Sequence, residues 1–261
     1  MSPSWRESLQ LELGAHDLRL RRLARGWRPQ VLFEQRQALA GLSAEAAAQA
    51  LDAAWRALPA PPLAKSIPTT LVLSSDWVHF ALQDQAGALH GTAERQAAAG
   101  HALRRVYGDA ALRWKVGSCD AGAGMLLAAG VDAALNDTLA RALQVFGARL
   151  VSAQPALVLA VNRCRHWLRK PSWLVSLEPG LATIAFSDGE CLRTLRHHRL
   201  RHSLREELPV WIEQARLIDG LGEPGAELTI ACCAAEVEQA AALTLASRVV
   251  AVDRPAAAHT P

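Results

Sequence analysis

Leu9, Leu11 and Leu13 alternate with Gln10 and Glu12, Gly14 permits a turn, and Leu18, Leu20 and Leu23 alternate with arginines on the way back. This period of two predicts a hairpin with one buried face. The shape returns at Trp173–Glu190, WLVSLEPGLATIAFSDGE, with strands expected over Trp173–Glu178, Leu181–Ser187 and Cys191–Leu195. Asp188-Gly189 between apolar strands is a strong hairpin signal. Two such hairpins, far apart in the chain, suggest two related halves, each opened by a β-meander and completed by helices.

Between and after them the pattern predicts a third strand at Gln30–Phe33 and a helix capped by Ser43 through Leu58, with Leu51, Trp55 and Leu58 on one side and Pro59, Pro61 and Pro62 as its stop. Thr69–Ser74 reads as a buried strand, and Val78–Leu82 as its continuation or hairpin mate across Ser75-Asp76. A helix over Thr92–Tyr107 ends at Gly108, and strands follow at Leu112–Val116 and Gly124–Ala128. Asp132 opens a helix to Phe146, stopped by Gly147; Arg149–Ser152 is a short strand before a helix over Pro155–Leu168. After the second meander come a helix over Leu204–Ile218, a strand at Glu227–Cys232, a helix over Ala235–Ala246 and a strand at Arg248–Val252. Lys170-Pro171-Ser172 marks the joint. The expected organisation is a first lobe over 1–171, with room for an inserted subdomain within 28–128, a second lobe over 172–253, and a disordered tail over 254–261.

Composition narrows the function classes. In 261 residues, a hydrophobic fraction of 51% is ample for a core without staples. The net charge of +3, from 28 basic and 25 acidic residues, is too balanced to argue for nucleic acid. The basic residues are nearly all arginine, with lysines at Lys65, Lys115 and Lys170, which fits a GC-rich coding bias. No apolar leader region and no run long enough for a membrane span appears, so the chain is expected to be cytoplasmic. Cys119, Cys164, Cys191, Cys232 and Cys233 follow no metal-ligand spacing and read as reduced, buried thiols.

The order of β-meander, helix, strand, helix, strand, then the same again, resembles the actin/RNase H-like ATPase superfamily. The pieces LELGAHDLRL (11–20), LVLSSDWVHFAL (71–82), LVSAQPALVLAVNR (150–163) and VSLEPGLATIAFSDGE (175–190) look most like the PilM-like proteins of type IV pilus and type II secretion systems, in the pseudo-ATPase branch with MshI and the cytoplasmic part of GspL. The resemblance implies an α/β fold of two related lobes, each with a mixed sheet flanked by helices.

In active members of that superfamily the first hairpin carries an acid, a glycine and small hydroxyl or lysine residues, so that turn amides wrap the phosphates and the acid positions a metal-bound water. The matching positions here are Glu12 and Gly14, followed by Ala15, His16 and Asp17; the hydroxyls are missing and Asp17 adds a second negative charge. The second hairpin offers Glu178, Pro179, Gly180, Leu181 and Thr183, and Pro179 has no amide to donate. A glycine pair expected after a late strand is replaced by Cys232, Cys233, Ala234 and Ala235. Glu12, Gly14, Glu178, Gly180 and Thr183 therefore read as degenerate nucleotide positions. The expectation is a pseudo-ATPase with no cofactor, no metal and no catalytic residue. By resemblance it is a cytoplasmic scaffold that binds a PilN-like inner-membrane protein and, as a second partner, the assembly ATPase, with indirect membrane association and no nucleic acid. The alternatives are an active ATPase or small-molecule kinase of the same fold using ATP and magnesium, and an unrelated two-lobed interaction protein.

Three further groups have ordinary explanations. His197, His198 and His202 are interleaved with Arg196, Arg199 and Arg201, with no carboxylate alongside in sequence, and read as a solvated basic edge. With Arg193 and Arg205 that edge suits an acidic partner surface. Ser74, Ser75, Asp76 and His79 hold the residue types of a hydrolase triad without a nucleophile elbow. Trp55, Trp167 and Trp211 fall on helix faces, where core packing is expected.

Overall fold

A computed structural model describes residues 7–24, 30–58, 66–84, 89, 91–221, 226–232 and 248–251. In chain order the elements are β1 (Glu7–Leu13), β2 (Asp17–Ala24), β3 (Gln30–Ala38), α1 (Ala44–Arg56), β4 (Ile67–Leu73), β5 (His79–Asp84), α2 (Thr92–Tyr107), a 3-10 run (Gly108–Arg113), β6 (Trp114–Asp120) and β7 (Met125–Asp132). They continue with α3 (Ala133–Val145), β8 (Ala148–Pro155), α4 (Ala156–Cys164), β9 (Pro171–Glu178), β10 (Leu181–Asp188), β11 (Leu192–Arg199), α5 (Leu204–Asp219), β12 (Glu227–Cys232) and β13 (Arg248–Ala251). The expected helix over 235–246, Pro59, Pro61, Pro62, Cys233 to Ala235 and the tail lie outside the described residues.

Two compact units result. Among the described residues, one holds those up to Val78 with Val131–Ala156, and the other holds His79–Gly130 with those from Leu157 to Ala251. In the first, the sheet order is β3-β2-β1-β4-β8, an antiparallel meander continued by two parallel strands. Leu9, Leu11, Leu13, Leu18 and Leu20 are all at most 1% exposed. They form the apolar face that α1 and α3 cover. Ser43 caps α1 by accepting the Ala46 amide at 3.1 Å, and Asp132 caps α3 by accepting the Ala134 amide at 2.8 Å, each satisfying an end donor that the helix cannot. The opposite face is polar and half-buried, with Ser8, Gln10, Glu12 and Arg19.

The second unit repeats the order as β11-β10-β9-β12-β13, again a meander followed by parallel strands. Here both faces are buried. Leu174, Ala185 and Ala231 pack with Ala160 and Cys164 of α4. On the other side Trp173, Val175, Ile184 and Ile230 pack with Leu204 and Leu208 of α5. That double cover buries every position of Trp173–Leu177 and Leu181–Ser187, where the alternating shape read from the sequence suggests one buried face.

Three further expectations change. Val78–Leu82 is not the mate of β4, because both edges of β4 are taken by β1 and β8; β5 instead pairs with β7 in a separate three-stranded sheet, β5-β7-β6, covered by α2. The helix expected through Leu168 ends at Cys164, after which the Trp167 and Leu168 amides both turn back to the Cys164 carbonyl. Cys119 is exposed on the outer strand β6, while Cys164, Cys191 and Cys232 are buried; burial pushes the Cys164 thiol up to about 11. Among the described residues no helix is long and apolar enough to cross a membrane.

Candidate functional site

The turn between β1 and β2 is built by pairing Leu13 with Leu18, which brackets Gly14 to Asp17. The Gly14 amide donates to the Asp17 carbonyl at 2.8 Å, and the Gly14 carbonyl accepts the Trp77 indole N–H at 2.8 Å. A Cβ at Gly14 would stand 2.6 Å from Asp17 Oδ1, so any larger residue there would have to displace that carboxylate. Trp77 is 9% exposed and follows β4, whose pairing with β1 extends through the Ser74 amide to the Leu13 carbonyl at 2.9 Å.

The charge at Asp17 is not left uncompensated, as the sequence suggested, because Arg36 of β3 forms an ion pair with it. Glu12 is likewise held. Its carboxylate lies 2.7 Å from Arg21 and 3.3 Å from Arg19, and accepts from Gln10 at 3.0 Å. Arg21 also reaches Glu34 at 2.7 Å. The hairpin register produces this arrangement, setting Glu12 opposite Arg19 and Gln10 opposite Arg21 on the polar face.

In the second unit the hairpin is tighter. Glu178 pairs with Leu181, leaving Pro179-Gly180 as a two-residue turn with Gly180 at φ +74°. The Gly180 carbonyl accepts the Leu200 amide at 3.0 Å. Glu178 is half-buried at the end of β9, and Thr183 is fully buried, its hydroxyl 2.8 Å from His197 Nδ1 on the neighbouring strand. Cys232, the described part of the late segment, sits in the apolar core at 2% exposure.

The basic strand β11 has carboxylates alongside, contrary to the sequence expectation. Arg193 pairs with Asp188, and Arg196 with Asp219 of α5 at 2.6 Å. Sequence distance concealed the second of these. Burial pushes the Asp219 carboxyl up, but the Arg196 and Thr194 hydrogen bonds outweigh it and hold the group below its ordinary value. His198 stacks on Trp211 with centroids 4.6 Å apart, and its Nε2 is buried without a hydrogen-bond partner among the described residues. His202 is exposed. Of the hydrolase-type residues, Ser74 Oγ accepts the Asp76 amide at 3.2 Å, while the His79 ring stacks on Trp114 at 4.1 Å. Trp55 stacks on Phe146 at 4.7 Å, and Trp167 follows α4 rather than lying on it, with Arg248 4.9 Å above its ring.

No protein-family model matches the chain, and no curated protein matches it. Solved structures do. A PilM-PilN type IV pilus biogenesis complex aligns with a TM-score of 0.63 at 13% identity, covering 95% of this chain and 90% of that one. A Bacteroides thetaiotaomicron protein of unknown function with an actin-like ATPase fold aligns at 0.61 and 11% identity, covering 95% and 91%. The cytoplasmic domain of EpsL, an inner-membrane component of the type II secretion system of Vibrio cholerae, aligns at 0.53 and 12% identity, covering 87% and 81%. With the twice-repeated order of meander and parallel strands, these likenesses establish that the chain has the actin-like ATPase fold.

Proposed function

We propose that this chain is a non-catalytic actin-fold scaffold in the assembly of a type IV pilus or a type II secretion machine. In this reading it is a cytoplasmic protein held at the inner membrane through a PilN-like partner, whose cytoplasmic segment it binds, with the assembly ATPase as a second partner. The observation that carries the non-catalytic part is the Glu12 carboxylate, held between Arg19 and Arg21. A carboxylate that positions a magnesium-bound water needs its charge for the metal, and two guanidiniums oppose a dication there. The donor set does not fit a magnesium nucleotide. The Gly14 amide closes on Asp17, Pro179 lacks an amide, and the Thr183 hydroxyl lies on His197. The partner assignment is supported by likeness to a structure solved as a PilM-PilN complex. An extended segment held by main-chain hydrogen bonds and apolar pockets is the expected mode.

Two measurements test this. Titration with ATP and magnesium is expected to give no heat; micromolar affinity lost on Glu12→Ala or Glu178→Ala would establish the alternative of an active ATPase or small-molecule kinase. Co-purification is expected to recover a PilN-like membrane protein, and recovery of no pilus or secretion component would sink the scaffold reading.

A further inference from the structure

From Arg104 to Lys115 the chain reads RRVYGDAALRWK, four basic residues against the single acid Asp109. This stretch is the corner where α2 ends at Gly108, the 3-10 run follows and β6 begins. It projects into solvent: all of its residues are exposed except Tyr107, Ala111, and Trp114. Two of the exposed side chains are branched aliphatics, Val106 at 58% and Leu112 at 63%. Arg104 lies 3.8 Å from Asp109, a loose surface contact, whereas Arg105 and Arg113 have no ion-pair partner among the described residues.

We propose that this corner is a contact surface for an anionic lipid bilayer, with Arg105 and Arg113 on lipid phosphates and Val106 and Leu112 entering the headgroup boundary. Guanidiniums bind phosphate oxygens through paired N–H donors, and aliphatic side chains set among cations match the layering of an interface. Exposed cations with exposed aliphatics between them suit an interface of phosphate and hydrocarbon better than an extended acidic peptide, which would leave Val106 and Leu112 without a role. A single-stranded nucleic acid would need aromatic platforms for its bases. The aromatic rings here are turned inward, Tyr107 and Trp114 packing against each other at 5.2 Å and both against His79. The inference does not depend on the scaffold reading. Where that reading holds, a weak lipid contact and a weak partner contact reinforce each other, since a single weak membrane signal gives only reversible binding.

The test is co-sedimentation of the full chain, without any partner, on vesicles of phosphatidylcholine alone and of phosphatidylcholine mixed with phosphatidylglycerol. Binding to the mixed vesicles only, weakening as salt is raised, is expected. Arg105→Gln with Arg113→Gln should lower that affinity by about 25-fold, roughly fivefold per guanidinium. Leu112→Ser should lower it while leaving the salt dependence unchanged. All three side chains are exposed, so the thermal transition should stay in place and report that the variants fold. Equal binding to neutral vesicles, no binding to either, or an undiminished affinity in the double variant would overturn the proposal. So would retention of an acidic polypeptide such as polyglutamate through the same arginines with no vesicle binding, which would give the surface to a protein.

Discussion

The indole N–H of Trp77 donates to the carbonyl oxygen of Gly14 at 2.8 Å, tying the loop after β4 to the turn between β1 and β2. The two strands run parallel, so their ends lie side by side and the contact joins the end of one to the turn that follows the other. A buried aromatic thereby anchors a turn whose own residues are half-buried, with His16 exposed.

Trp77→Phe keeps most of the ring and removes the donor, leaving the Gly14 carbonyl without that partner. A loss of about 1–2 kcal/mol is expected. Trp77→Ala also empties the ring's space and should cost about 3–5 kcal/mol. Denaturant unfolding midpoints at constant m-value measure both. A Trp77→Ala protein of unchanged stability would show that the indole does not hold the turn.

Arg21, 7% exposed, pairs with both Glu12 and Glu34 at 2.7 Å, and Arg19 bridges the same two carboxylates at the longer distances of 3.3 and 3.6 Å. Arg21→Met leaves two carboxylates close together without it, and should destabilise by about 2–3 kcal/mol, less than for a fully buried triad because Glu34 is open to water. Adding Glu12→Gln to Arg21→Met should recover part of that loss. A double-mutant cycle gives the coupling, and strict additivity would mean that the two side chains do not interact in solution.

Much of this arrangement could be read before any coordinates. Alternation assigns the β1–β2 hairpin its buried face, and counting back from its turn places Glu12 opposite Arg19, so one half of the arginine clamp follows from the hairpin register. The same alternating shape is expected of β9 and β10, whereas both of their faces are buried. What stayed hidden were pairings between residues distant in sequence: Trp77 with Gly14, Arg196 with Asp219, and β5 with β7. Local periodicity assigns a residue to a face and says nothing of which distant segment covers it.

Gly122 and Gly180 both have positive φ, at +90° and +74°, but they differ in surroundings. A Cβ on Gly122 would stand 2.1 Å from the Glu190 carbonyl oxygen, where backbone meets backbone, whereas nothing lies within 4 Å of one on Gly180. Gly180→Ala should therefore cost only the left-handed conformation, about 1–2 kcal/mol. Gly122→Ala should cost more, since the loop must also move off the β10–β11 turn, to which the Leu192 amide binds it at 2.9 Å through the Ala121 carbonyl. Equal melting shifts for the two variants would show that this close approach is absent in solution.

Burial holds the His79 and His198 imidazoles below the ordinary value of 6.5; at His198 the neighbouring Arg196 acts in the same direction and Glu207 against it. Asp219 pairs with Arg196 on this side, and the His198 ring lies against Trp211. As pH falls through 6.5 the unfolded chain binds protons that the folded chain refuses, so stability is lost on the acid side and is undiminished well above that value. The carboxyls of Asp188 and Asp219 do not contribute to this window, since they are held below 3.8 and their stabilisation fades only as pH falls through those lower values. Unfolding free energy measured between about pH 7.5 and pH 5.5 should decline in the unaltered protein. Its slope should flatten in the His79→Gln, His198→Gln variant, whatever stability the lost stacking takes away at all pH values. A slope that survives in the variant would place the titrating groups elsewhere, and a flat profile in the unaltered protein would mean that neither ring resists protonation in the fold.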